Sequence, residues 1–258
     1  MPHFFGGAWT EIKLDAVQYY LECYTKALKR VGFDLWYIDA FAGTGEREEI
    51  RESGGILEGS PVTPIVETMA GSARRALDVN PRFDHLHFNE QNQQRKEILT
   101  RLKEEHPSRH IIVTAEDANS LLAKTFSSNP WLTGPTGKSR GVVFLDPYAL
   151  QVEWKTLEIL AHTGSLDVWY LFPLRDVTRQ LAHNWSGIGP KEPRLDAVLS
   201  ERWRDLYSLP VPSDDAMSTD LFGNSVELEP SRNATQRQIE QWFKKRLEKP
   251  MLPSLFRF

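Results

Sequence analysis

Four carboxylates in this chain stand where they could hold one ligand. Asp39 precedes Ala40-Phe41-Ala42-Gly43-Thr44-Gly45, Glu90 follows Phe88-Asn89, Asp117 follows Ala115-Glu116, and Asp146 opens Asp146-Pro147-Tyr148. Gly43 and Gly45 let the backbone turn tightly and approach a ligand without side-chain obstruction, and Phe41 lies inside the same loop. An acid at the head of such a loop would repel a pyrophosphate but attract an amino group. A carboxylate at Glu90 can accept hydrogen bonds from both hydroxyls of a ribose, although a solvated charge at a helix start is the plainer alternative. Asp117 could accept from an adenine amino group, and it could equally cap the helix that follows. Pro147 lacks a donor and leaves the preceding carbonyls open, while Tyr148 offers a flat face for a planar acceptor. Most isolated Asp-Pro pairs are ordinary turns. Four acids in the order required by one nucleoside-bearing ligand are much less easily accidental than any one of them.

The elements that must position these groups follow from periodicity. Residues Thr10 to Val31 repeat apolar positions at close to 3.6 residues and predict an amphipathic helix. Phe33 to Asp39 reads as a buried strand closed by the glycine loop. The stretch Gly43 to Gly59 is long for an α/β connection, a candidate lid or a disordered segment, and Ser60-Pro61 would then start a helix running to Leu77. Strands Asp84 to Asn89, His110 to Thr114, Gly141 to Leu145 and Leu166 to Phe172 alternate with helices Gln91 to His106, Asn119 to Phe126 and Glu153 to Leu160. That alternation specifies an α/β fold, a Rossmann-like, doubly wound, mostly parallel sheet with helices on both faces. After Pro173 helical segments at Arg175 to His183, Pro193 to Tyr207 and Ala234 to Leu247 predict a helical C-terminal cap. The expected division is residues 1–173 for the ligand-binding domain and 174–258 for the cap and C-terminal segment packed on it.

A dinucleotide loop leads straight into a helix whose amino terminus holds a pyrophosphate. Here the helix is expected roughly 15 residues later, and with the leading acid this favours a cationic ligand over NAD. A nucleoside carrying a methionine moiety, S-adenosylmethionine, fits Asp39, Glu90 and Asp117, which leaves Asp146 for the methyl acceptor. Asp39, Phe41, Gly43, Gly45, Glu90 and Asp117 are then the cofactor-binding residues, and Asp146, Pro147 and Tyr148 the catalytic ones.

Composition narrows the classes further. Of 258 residues, 40% are hydrophobic and 26% charged, as in ordinary globular proteins, and the net charge of −4 builds in no general attraction to nucleic acid. Arg95-Lys96, Arg101-x-Lys103, Arg202-x-Arg204 and Lys244-Lys245-Arg246 could touch phosphates, but each sits among acids on a predicted helix and reads better as a solvated face. The single cysteine, Cys23, excludes an internal disulfide and a Cys-ligated cluster, and a reducing cytoplasm fits best. His85 and His87 alternate on one strand without a third ligand nearby, so no metal is expected. No signal peptide is recognisable at the amino terminus, and no apolar run approaches the roughly 18 residues of a membrane span.

The chain resembles class I S-adenosylmethionine-dependent methyltransferases at Asp39 to Gly45, at Glu90, at Asp117 and at Asp146-Pro147-Tyr148, which is one residue shorter than the Asp/Asn-Pro-Pro-Tyr motif of amino-methyltransferases. It is more closely similar to the three-Cys-motif partner protein family. That resemblance runs from about Lys13 to Leu247 through Tyr37 to Gly45, Gly59-Ser60-Pro61, Phe144 to Tyr148 with Trp154, and Trp242-Phe243-x-x-Arg246-Leu247. It implies a methyltransferase-like fold and a separate partner bearing three cysteines. It also implies a further strand-like segment after the last helix, of which Met251 to Phe258 would be a remnant. The expected activity is methyl transfer to an amino group of a DNA or RNA base. The alternative is a catalytically inactive binding protein that keeps the fold and serves a three-Cys-motif protein. Neither reading fixes an oligomeric state.

Overall fold

The computed structural model describes residues 8–44, 46–53, 63–127, 131, 137–209, 229–248 and 256–257. It divides into two compact units, Met1–Asp146 with Ile159–Leu171 and Ser254–Phe258, and Pro147–Glu158 with Phe172–Pro253.

In the first unit, helix α1 (Ala8–Lys29) ends at Gly32, whose φ of +83° is a conformation that side-chain-bearing residues rarely adopt. The chain then enters β1 (Asp34–Asp39), the centre of a six-stranded sheet. Its partners are β4 (His85–Asn89) and β5 (His110–Thr114) on one side, and β6 (Ser139–Leu145), β7 (Leu166–Tyr170) and β8 (Phe256–Arg257) on the other. The order is β5-β4-β1-β6-β7-β8, and every pairing is parallel. The expected Rossmann-like sheet is therefore present, with its switch point between β1 and β6, where a doubly wound sheet opens a crevice beyond the strand ends. The C-terminal residues Phe256 and Arg257 add the outermost strand beside Val168 and Trp169.

Both faces of the sheet are covered. Leu35 and Tyr37, with Leu86, Phe88, Val142 and Phe144, pack against Leu14, Val17 and Leu21 of α1, against α2 (Ser72–Asp78) and against Leu99 and Leu102 of α3 (Gln93–Glu105). On the opposite face Trp36 meets the edge of Trp131, which in turn meets Phe126 of α4 (Ala118–Phe126). Burial on two sides explains why these strands read as continuous apolar runs rather than as alternating ones.

The sequence expectation fails first between β1 and α2. The helix predicted from Pro61 to Leu77 is confined to α2, and residues Thr63–Ala70 form β3, antiparallel to β2 (Glu46–Ser53). The segment expected to be a long loop thus supplies one strand of a hairpin. Pro64 would interrupt the helical hydrogen bonds, and Thr63, Ile65, Val66 and Thr68 favour extended backbone. A short apolar run has no decisive period, and the antiparallel partner settled the choice. The Ser60-Pro61 helix start lies outside the described residues.

The second unit carries the start of α5 (Trp154–His162), then α6 (Leu174–Gln180), α7 (Glu192–Leu199) and α8 (Gln236–Glu248). The single helix expected from Pro193 to Tyr207 breaks at Ser200, which has a φ of 52°, and continues as a 3-10 turn over Glu201–Leu206. Arg246 holds that break: its guanidinium donates to the Leu199 carbonyl and, at 2.7 Å, to the Ser200 hydroxyl. The same cation lies 4.0 Å over the Trp154 ring and 5.0 Å from that of Trp242. Burial lowers its pKa to about 10.

Gly141 of β6 sits in close packing. A Cβ there would come within 2.9 Å of Leu166 and 3.2 Å of Trp131. Gly141→Val is expected to destabilise the protein by about 1–3 kcal/mol through overpacking. Urea unfolding of the two proteins side by side measures this, and equal midpoints would contradict it.

Candidate functional site

The parallel register sets the strand-end acids in rows. Asp39 lies level with Phe88 of β4 and Phe144 of β6, so Glu90 and Asp146 come two residues further along on either side of the central strand. The ladder continues past the strand ends, with the Ala40 amide on the Phe144 carbonyl at 3.1 Å and the Ala42 amide on the Asn89 carbonyl at 2.9 Å. These bonds tie the start of the glycine loop to both neighbours. Gly43 adopts a φ of +61°, as the tight turn requires. Gly45 lies outside the described residues, and the β2–β3 hairpin intervenes before α2.

Asp39 has no exposed surface. Its Oδ1 accepts the Phe41 amide at 3.1 Å, whereas its Oδ2 is buried and has no hydrogen-bond partner among the described residues. Burial raises the Asp39 pKa from 3.8 to about 7, against the pull of hydrogen bonding from Ser72 and the Phe41 amide. The charges of Asp146 and Glu90 add to the rise, so the three carboxylates feel one another. The Tyr37 hydroxyl is also buried, close enough to Asp39 to feel its charge but outside hydrogen-bond geometry; burial first, then that carboxyl, keep it protonated.

The other predicted residues divide their work. Glu90 is half-buried and its Oε1 accepts the Asn92 amide at 2.8 Å, which shapes the turn into α3. Asp117 is exposed, and its Oδ1 accepts the Ser120 amide at 2.9 Å, so it caps α4. Asp146 is half-buried at the end of the first unit. Pro147 and Tyr148 belong to the second unit; Pro147 is buried, while Tyr148 is 77% exposed and its amide donates to Gln151 at 2.9 Å.

Sequence reasoning missed Asn89. It is 1% exposed, and its Nδ2 donates to the Ala40 carbonyl at 3.1 Å and the Glu116 carbonyl at 3.0 Å. Its Oδ1 accepts from the Thr114 hydroxyl at 2.9 Å and the Glu116 amide at 3.0 Å. His87 extends the network to Thr114 at 3.0 Å, and burial lowers its pKa to about 4, so its imidazole is neutral. The only trace in the sequence is a polar residue closing an otherwise apolar strand.

Several of the basic residues considered for phosphate contact are spent within the chain. Arg204 pairs with Glu192 and Asp196, Lys244 pairs with Glu240 at 2.6 Å, and Arg246 is held as described. His85 stacks on Trp36 with ring centroids 4.0 Å apart, contacts His110, and pairs with Asp34 at 2.9 Å. Among the described residues no group of three or more His, Cys, Asp or Glu side chains is arranged to hold a metal. Among them, too, no helix is long and apolar enough to cross a membrane.

No family model matches the chain, and no curated protein matches it. Among solved structures, a Legionella pneumophila protein of family model DUF519 is similar at 17% identity and a TM-score of 0.39, over 60% of this chain and 67% of its own. The Escherichia coli candidate methyltransferase yhhF is similar at 17% identity and a TM-score of 0.34, over 64% of this chain and 66% of its own. Likeness at this level carries no function. The parallel sheet and its strand order are those of a Rossmann-like, doubly wound α/β fold.

The buried carboxyl of Asp39 has a consequence for stability. Its folded pKa lies above its unfolded one, so the folded state binds more protons and loses stability as the pH rises from about 4 to about 7. Asp39→Asn removes that penalty. Its unfolding free energy, measured in urea, is expected to exceed that of the unsubstituted protein at pH 8 by up to about 4 kcal/mol and to match it near pH 4. A variant less stable at pH 8 than at pH 4, relative to the parent, would overturn this.

Proposed function

We propose that this protein binds S-adenosylmethionine at the carboxyl ends of β1, β4, β5 and β6 and transfers its methyl group to an amino nitrogen of a nucleic-acid base. The observation that carries the reading is the Asp39 carboxylate oxygen, fully buried, unpartnered among the described residues and placed beside the switch point. Such an oxygen calls for a donor, and a carboxyl raised to about 7 calls for a cation. The α-ammonium of a methionine moiety supplies both.

Asp39 would hold that ammonium, Phe41, Gly43 and Gly45 would line the loop around it, Glu90 would accept the ribose hydroxyls, and Asp117 would face the adenine amino group. When bound, the cofactor supplies a methyl group already activated on a sulfonium sulfur. The protein then has to align an acceptor lone pair with it. Asp146 would accept a proton of the acceptor amine and orient its nitrogen, and the Pro147 segment would fix the approach. The exposed ring of Tyr148 supports a planar acceptor, since it offers a stacking surface to a base. A base in duplex DNA would have to be flipped out of the helix.

Calorimetric titration with S-adenosylhomocysteine, with NAD as control, tests the cofactor. Affinity is expected to rise from pH 6 to pH 7.5 as Asp39 ionises, and to fall again only at the higher pH where the ligand's α-ammonium loses its proton. Absence of binding at every pH would end the proposal. Asp146→Ala should retain the cofactor but lose roughly a hundredfold in labelled methyl transfer to DNA or RNA. Cofactor binding with no transfer to any nucleic acid would instead favour a catalytically inactive protein serving a three-Cys-motif partner.

A further inference from the structure

We infer that Asn89 is a positioning residue that fixes the distance between the two halves of the ligand site, the half that takes the amino-acid end and the half that takes the base. This rests on the cofactor reading above and adds to it a residue that touches no part of the ligand.

A primary amide has two donors and two acceptor lone pairs. All four are used by Asn89, two donors on the carbonyls of Ala40 and Glu116 and two lone pairs on the Thr114 hydroxyl and the Glu116 amide. Ala40 directly follows Asp39 and opens the glycine loop. Glu116 directly precedes Asp117. One buried side chain therefore bridges the loop after β1 to the loop after β5, across the intervening strand β4 that carries it. The Asn89 carbonyl adds a second tie to the glycine loop through the Ala42 amide.

Loops are ordinarily the loosest part of an α/β unit. These two run beyond the sheet, and their main chains are joined through a residue that can neither rotate nor flip without breaking several hydrogen bonds in a dry environment. Glutamine would push the loops apart by a methylene. Aspartate would lose both donors and place a charge near Asp39 and Glu90. Asparagine alone matches the spacing and the polarity of all four partners.

A ligand that joins an amino acid to a nucleoside gains affinity over its separated parts because the second half binds intramolecularly, and that gain is sensitive to the distance between half-sites. If Asn89 sets the distance, its loss should weaken the joined ligand and leave the parts alone. A residue needed only for folding would weaken all three together.

The experiment uses the full chain and compares three probes, S-adenosylhomocysteine, adenosine and methionine, by NMR titration of the parent and of Asn89→Ala. S-adenosylhomocysteine is expected to lose roughly tenfold or more in affinity while the two fragments stay within about twofold. Thr114→Val removes one of the four bonds without emptying the site, so it carries the same test where Asn89→Ala does not fold, with an expected loss of about threefold. Unchanged affinity for S-adenosylhomocysteine in the folded variant, or parallel losses for ligand and fragments, would overturn the inference. Failure of the parent to bind S-adenosylhomocysteine at all would instead remove the cofactor reading on which it stands.

Discussion

A carboxyl group at the end of a central parallel strand, with no surface of its own, cannot ionise cheaply. Asp39 is in that position, and its surroundings do only part of what would be needed: one oxygen receives a backbone amide and Ser72 favours the charged form, yet the other oxygen makes no hydrogen bond of normal geometry among the described residues. Two further carboxylates on the flanking strands make its ionisation harder still. Left alone this arrangement costs stability above neutral pH, and a folded protein keeps such a cost where a ligand can remove it. A bound cation turns the unpartnered oxygen and the accumulated negative potential from a penalty into an attraction.

The remaining groups fall into order around that constraint. Asp117 and Glu90 each commit an oxygen to the backbone of the turn they occupy, capping α4 and shaping the entry to α3. That local use is compatible with ligand contact, because a carboxylate has several lone pairs and a capping bond holds its direction. Asn89 joins the loop that follows Asp39 to the loop that precedes Asp117. His87, neutral and buried, closes the network from below through Thr114. Asn89 and Thr114 thus support the strand ends with satisfied hydrogen bonds, whereas Asp39 Oδ2 and the Tyr37 hydroxyl are buried and unsatisfied among the described residues.

In the second unit, charge and aromatic surface are turned inward. Arg246 lies against two tryptophans while anchoring the strained turn at Ser200, and Arg204 is neutralised by two carboxylates at the neighbouring 3-10 turn. Little of this basic charge is left for long-range attraction of a polyanion, in keeping with the net negative chain. Recognition of a nucleic-acid base would then depend on stacking and on hydrogen bonds at Asp146 and Tyr148 rather than on phosphate contacts.

The sequence alone determined the alternation of strands and helices, the parallel sheet and the four acids at its strand ends. Burial on both faces writes apolar runs into the central strands β1 and β6, and a glycine turn following an acid is a local signal. It did not determine the β2–β3 hairpin, because a short apolar run such as Thr63–Ala70 has no decisive period and pairing with residues 17 positions away on average is a tertiary choice. Nor did it single out Asn89, whose four partners lie on three segments brought together only by folding. The Asp39 pKa was equally hidden: an aspartate before a glycine loop looks the same in sequence whether water reaches it or not. Tertiary structure alone removed the water, brought Glu90 and Asp146 alongside, and left one buried oxygen without a donor.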